Sequence, residues 1–80
     1  MLDKKILEAT SEDLKKMLHE VDQTVAAKAF SQVSETVLNK ITNELSERAK
    51  DLLLEEIEWA RKNVEASEIA EAKSIVLKHF

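Results

Sequence analysis

The chain has 80 residues, of which 44% are hydrophobic and 35% are charged, and its formal net charge is −4 at pH 7. These values predict one small folded domain over residues 1–80 and exclude a disordered chain. A negative chain with only scattered Lys and Arg pairs argues against nucleic acid as the main partner. Gly, Pro and Cys are absent, which excludes glycine-rich phosphate loops, disulfides and thiolate metal sites.

No stretch approaches the run of about 18 apolar residues that marks a membrane-spanning helix. The start of the chain also lacks the apolar run of a signal peptide. We therefore expect neither a membrane-embedded segment nor a secretory leader. The absence of Cys fits a reducing compartment, since disulfides belong to oxidising ones.

Apolar residues recur at helical spacing throughout the chain, and period-two alternation is not sustained anywhere. The pattern predicts an all-α domain of six helices, most of them short. Residues that can cap a helix start precede the apolar runs. The candidate caps are Ser11, Ser34, Ser46 and Ser67, each followed by Glu, together with Asp22 and a Thr10–Asp13 capping box. The apolar residues expected to face the core are, helix by helix, Leu2, Ile6 and Leu7; Leu14, Met17, Leu18 and Val21; Ala26, Ala29, Phe30 and Val33; Leu38, Ile41 and Leu45; Ala49, Leu52, Leu53, Ile57 and Ala60; and Ile69, Ala72, Ile75, Val76 and Phe80.

The segment from Ser46 to Lys62 reads as one continuous amphipathic helix with a charged side. We call its five charged residues, spaced at steps of three and four, the charged ridge: Arg48, Asp51, Glu55, Glu58 and Lys62. Such a face is usually only solvated, and recognition of a partner is the alternative. We expect the carboxylates of Glu55 and Glu56 to stand in water. Trp59 lies beside the apolar side, where it is either half-buried packing or a contact for a partner.

Nothing in the pattern indicates an enzyme or a metal site. His19 and His79 are far apart in the chain, and neither is accompanied by a second candidate ligand. Neighbouring carboxylates such as Glu55 and Glu56 point about 100° apart on a helix, so they do not share one site. We therefore predict no catalytic residue, no cofactor and no small-molecule substrate.

Three segments carry a resemblance to a known family: "LKKMLHEVD" (14–22), "LSERAKDLLLEEIE" (45–58) and "EIAEAKSIVLKHF" (68–80). Together they resemble the C-terminal helical domain of the flagellar motor switch protein FliG. That family has a helix beginning L-x-x-L-L-x-E-V-D, a torque helix of the type M-S-x-R-A-A-x-x-L-x-[DE]-[DE]-[LI], and a closing helix of the type V-E-x-A-Q-x-x-I. The resemblance implies a compact, armadillo-like right-handed superhelix of short helices.

The resemblance also implies a function, which is a protein interaction in the flagellar rotor. In FliG the charged helix faces the cytoplasmic loop of the stator protein MotA, or other rotor proteins, and so serves torque generation and switching. This would place the chain in the cytoplasm, at the inner face of the inner membrane. The family's Arg falls on Arg48 and its acidic pair on Glu55 and Glu56. The partner-binding residues expected on this basis are Arg48, Asp51, Glu55, Glu56, Glu58, Trp59 and Lys62.

The chain departs from the family at two places. A family Lys, in an A-L-K-G-A segment, falls near Ser31, and the G-P-V-R turn is replaced by "ARKNVEA" (60–66), with its Arg falling at Val64 or Glu65. Arg61 and Lys62 supply positive charge from a different backbone position, and helix five is expected to run past Trp59. A non-motor regulatory module, similar to the helical N-terminal domain of the magnesium transporter MgtE, is therefore the alternative. The sequence leaves open a homo-oligomer, and whether the chain is a fragment or a separate protein.

Overall fold

The computed structural model describes residues 2–80, which form six α-helices joined by short connections. The helices are α1 (Leu2–Glu8), α2 (Ser11–Glu20), α3 (Gln23–Phe30), α4 (Glu35–Thr42), α5 (Glu47–Asn63) and α6 (Ala66–Leu77). The all-α class and the number of helices are therefore confirmed. No strand occurs within residues 2–80.

The third helix is the centre of the packing. It packs against both α5 and α6, while α1 packs against α4 and α6. Helices of this length are marginal when isolated in water, so burial of their apolar sides has to hold them together. One core cluster draws residues from all six helices within an envelope of 30 × 26 × 22 Å. The largest fully buried side chains are Phe30, Ile6, Leu14, Met17, Ile41, Ile57, Val37 and Val76.

Four of the predicted caps are formed by side-chain hydrogen bonds. The amide of Asp13 donates to Thr10 Oγ1 at 3.1 Å, and the Asp13 carboxylate accepts from the Thr10 amide, which completes the capping box. Ser34 and Ser46 accept from the third amide of α4 and α5, and Asp22 accepts from the second amide of α3. Each bond satisfies a backbone donor that has no partner inside the helix.

The other two predicted caps, Ser11 and Ser67, are wrong. Ser11 is the first residue of α2, behind the Thr10 cap, and its hydroxyl donates to the carboxylate of Glu44 instead. Ser67 lies inside α6, whose N-cap residue Glu65 makes no side-chain cap bond. Because α5 extends to Asn63, only two residues remain as the connection, and α6 begins before Ser67 is reached.

The burial pattern differs from the expected one at several large apolar residues. Leu7 and Leu52 are 49% and 47% exposed, and Ile75 and Phe80 are also exposed. The direct neighbours of the two leucines, Ile6 and Leu53, are buried. Successive residues on a helix point about 100° apart, so the neighbour of a core residue is turned away from the core. In α4 the fully buried pair is Val37 and Ile41, while Leu38 is half-buried, as is Leu45 beyond the end of the helix.

Unfolding measurements should distinguish a cap that forms, Ser46, from a predicted cap that does not, Ser67. Ser46→Ala removes the acceptor for the Ala49 amide, so it should lower the free energy of unfolding by about 1 kcal/mol. Ser67→Ala should change it by less than about 0.5 kcal/mol, because that hydroxyl caps nothing. Urea titrations followed by circular dichroism measure both. Equal losses in the two variants would contradict the capping assignment.

Candidate functional site

The charged ridge stands on α5, whose opposite side is built into the core. Leu53, Ile57 and Ala60 are buried, whereas all five residues of the charged ridge are exposed. The amphipathic helix predicted for this segment is therefore confirmed. It also continues past Trp59 as expected, and the Asn63 side chain donates to the Trp59 carbonyl at 2.9 Å in its last turn.

The acidic centre of the ridge has no internal counter-charge. Within residues 2–80, neither Asp51 nor Glu55 has a cationic group within 4.0 Å. Glu58 does have one, since its carboxylate lies 3.4 Å from the Arg61 guanidinium. Both side chains of that pair are largely exposed, and such pairs contribute between about 0 and 1 kcal/mol. The charged residues of the ridge therefore contribute little to the stability of the fold.

Arg61 has a structural contact that its position in the sequence did not reveal. Its Nε donates to the backbone carbonyl of Ser31 at 2.9 Å. Ser31 is the buried C-cap residue of α3, and its own hydroxyl donates to the Lys28 carbonyl at 2.7 Å. A cation at a helix C-terminus also meets the negative end of the helix dipole. The two departures from the family, at Ser31 and at residues 60–66, are therefore in direct contact.

Glu56 and Trp59 are placed differently from the expectation. Glu56 is half-buried, and its Oε2 atom is inaccessible and has no donor within residues 2–80. The expectation of a carboxylate in water is right for Glu55 and wrong for Glu56. Trp59 is 59% exposed, so half-buried packing is also wrong. Both side chains belong to a cavity of about 250 Å³ between α3 and α5, which is lined by Thr24, Ala27, Lys28, Glu56, Trp59 and Ala60.

Within residues 2–80, no three His, Asp or Glu side chains are arranged to share a metal ion. His79 Nδ1 lies 3.9 Å from the Glu20 carboxylate at the surface. None of the helices described is both long enough and apolar enough to cross a membrane.

These features define a small all-α domain that presents one long, charged helix. The family model of the FliG C-terminal domain matches residues 4–80. The chain therefore belongs to the FliG C-terminal domain family, and the resemblance of the three segments is confirmed. Members of that family are structural components of the flagellar motor switch, so the chain is a protein of the motor-switch type. Comparisons with curated proteins and with solved structures gave no match.

Leu52 was not predicted as a candidate site residue, although the sequence carries a signal for its exposure. Leu52, Leu53 and Leu54 are consecutive, and one side of a helix cannot bury all three. Leu52 also precedes Trp59 by seven residues, which places both on the same side of α5 two turns apart. That interval beside a charged ridge indicates an exposed apolar strip.

The contact between Arg61 and Ser31 can be tested against the neighbouring cation. Arg61→Ala removes a charged donor from a part-buried hydrogen bond to the Ser31 carbonyl, so it should lower the free energy of unfolding by about 1–2 kcal/mol. Lys62→Ala removes the same charge from an exposed position and should change stability by less than about 0.5 kcal/mol. Thermal and urea unfolding measure the difference. If both variants are equally stable, the contact contributes nothing.

Proposed function

We propose that this domain presents the charged ridge of α5 to the cytoplasmic loop of a MotA-type stator protein, and that this contact transmits torque and switching. The observation that carries the proposal is the pair of exposed carboxylates, Asp51 and Glu55, which stand unpaired at the centre of the ridge. Membership of the FliG C-terminal domain family supports a protein partner within the motor. The place of action is then the cytoplasm, at the inner face of the inner membrane.

The order of charges along the ridge specifies what its partner has to carry. Basic residues, Arg48 and Lys62, stand at the two ends, about 21 Å apart along the helix, with the acidic residues between them. A complementary partner places basic side chains opposite Asp51 and Glu55 and acidic ones at the flanks. Any other register brings like charges together, which costs free energy and so selects one alignment.

The energetics of such a contact suit repeated binding and release. Each exposed ion pair contributes about 0.2–1 kcal/mol, because water and salt screen it. Complementary charge chiefly accelerates encounter and selects the partner, and it adds less to the lifetime of the complex. A partner that passes the domain many times needs fast association and no long-lived trapping.

Reversal of the unpaired carboxylates tests the proposal. In the double variant Asp51→Lys/Glu55→Lys, two attractive positions become repulsive, so affinity for the stator loop should fall about tenfold or more. Helicity and melting temperature should stay nearly unchanged, since neither side chain has a partner in the fold. Binding is measured by calorimetry at two salt concentrations, and motility by swimming in a strain that depends on this chain.

A matched control moves the same charge elsewhere on the surface. Glu8 and Glu71 are exposed residues of α1 and α6, and Glu8→Lys/Glu71→Lys should leave binding and motility intact. Reversing a basic residue of the loop should restore binding to the α5 variant. If the α5 reversal leaves both binding and motility at the level of the control, the ridge is plain surface and the non-motor module is the better reading.

A further inference from the structure

An apolar groove runs beside the charged ridge, between α3 and α5. It contains the cavity of about 250 Å³ at Trp59 and a second cavity of about 70 Å³ nearer the start of α5, at Leu45, Ala49 and Leu53. Ala26 lines the smaller cavity and the adjacent Ala27 the larger one, so the two follow one another along the same pair of helices. From Ala49 to Ala60 the two cavities together extend about 16 Å along α5, or three helical turns.

Two large apolar side chains stand on the same side of α5. Trp59 lines the larger cavity, whereas Leu52 lines neither cavity and lies beside the groove. Trp59 is 59% exposed and Leu52 is 47% exposed. They are seven residues apart, which is two helical turns, and they share one side of α5 with Glu56. Single exposed apolar residues are ordinary, whereas a Trp and a Leu aligned along a cleft mark a contact surface.

The charge of the neighbouring surface selects the kind of partner. The ridge and Glu56 together carry four carboxylates against Arg48 and Lys62, and Arg61 pairs with Glu58, which leaves a net charge of −1 on this side of α5. On the α3 side, the larger cavity is lined by one cation, Lys28. The carboxylates lie toward the middle of α5, next to Leu52 and Trp59. A segment that covers the apolar strip therefore meets negative charge along its α5 edge, and basic residues on that segment are favoured.

We propose that the groove between α3 and α5 binds the apolar side of a basic amphipathic helix from the protein partner, with Leu52 and Trp59 as its anchors. This inference rests on the proposed function and deepens it, since it adds an apolar anchor to a contact otherwise described by charge. A helix lying along α5 presents its own apolar residues at intervals of seven, which matches the interval from Leu52 to Trp59.

Glu56 supplies an independent reason for an occupant that brings a donor. Its Oε2 atom is buried at the cavity without a donor within residues 2–80. A buried acceptor that lacks a hydrogen bond costs free energy, and the cost is recovered when a donor arrives. A Lys or Arg side chain at the edge of the incoming helix reaches this atom while its alkyl stem covers Trp59.

Other occupants fit the groove less well. At about 250 Å³ the larger cavity is below the usual size of a small-molecule site, and it accommodates one or two side chains. An extended peptide would need a sheet edge for backbone pairing, and residues 2–80 contain no strand. The helix-in-groove mode is the form of peptide recognition that two neighbouring helices support.

Trp59 is the only Trp in the chain, so its fluorescence reports directly on the groove. The probe is a synthetic peptide of about 15 residues built from Leu and Lys, with Leu at helical spacing on one side. Its binding should shift Trp59 emission to shorter wavelength as the indole leaves water. A scrambled peptide of the same composition, and an analogue with Glu in place of Lys, should produce no shift. Equal binding of either control peptide overturns the proposal.

Variants of the protein separate the apolar anchor from the charge. Leu52→Ala should weaken the peptide about fivefold, and so should Trp59→Ala measured by calorimetry. Leu7→Ala is the matched control, because Leu7 is the same residue type at 49% exposure on α1, and it should have no effect. All three side chains are exposed, so circular dichroism should confirm that each variant folds.

The double reversal Asp51→Lys/Glu55→Lys completes the design and is measured against both the peptide and the MotA-type loop. If the reversal weakens binding of the MotA-type loop, whereas Leu52→Ala and Trp59→Ala leave that binding unchanged, the partner does not use the groove and the proposed function stands. If the anchor variants weaken binding of the peptide and the reversal does not, the carboxylates of α5 do not select the occupant, and the proposal of a basic helix is overturned. Loss in the anchor variants and in the reversal, with Leu7→Ala unchanged, supports the proposal.

Discussion

The packing of α5 on α3 is the contact on which the whole candidate surface depends. Leu53, Ile57 and Ala60 bury one side of α5, and this burial alone determines which residues of the helix remain in water. The hydrogen bond from Arg61 to the Ser31 carbonyl holds the later turns of α5 to the end of α3. A rotation of α5 by one residue, about 100°, would bury part of the ridge and expose the core side.

The same contact explains why there is a groove. Ala26 and Ala27 on α3, and Ala60 on α5, are buried side chains that reach only one carbon from the backbone. They allow the helices to pack, yet they do not fill the space above the contact, where the longer side chains of Glu56 and Trp59 stand. The absence of Gly and Pro keeps α5 unbroken for 17 residues, so ridge and groove run side by side along one rigid element.

Local features of this fold could be predicted from the sequence, and features that depend on distant contacts could not. Ser34 and Ser46 cap helices because the chemistry of capping involves only four successive residues. Among Leu52 to Leu54, by contrast, the buried one is decided by where α3 lies, and periodicity alone admits more than one choice. The partner of Arg61 is 30 residues away in the chain, and the surroundings of Glu56 come from α3, so neither was readable from helix five by itself.

Placing an apolar strip beside a charged ridge resolves a difficulty of recognition by charge alone. Exposed ion pairs attract before contact, but they discriminate weakly between one basic surface and another. Salt largely screens this attraction at separations beyond about 8 Å. Apolar contact acts only at van der Waals distance and is insensitive to moderate salt. It therefore stabilises the correctly docked complex and not the earlier encounter complex. Glu56 sharpens this selection, because its unpaired oxygen penalises an occupant that lacks a donor at that position. In the proposed contact, charge governs how often a partner arrives and in which register, while Leu52 and Trp59 govern how long it stays bound.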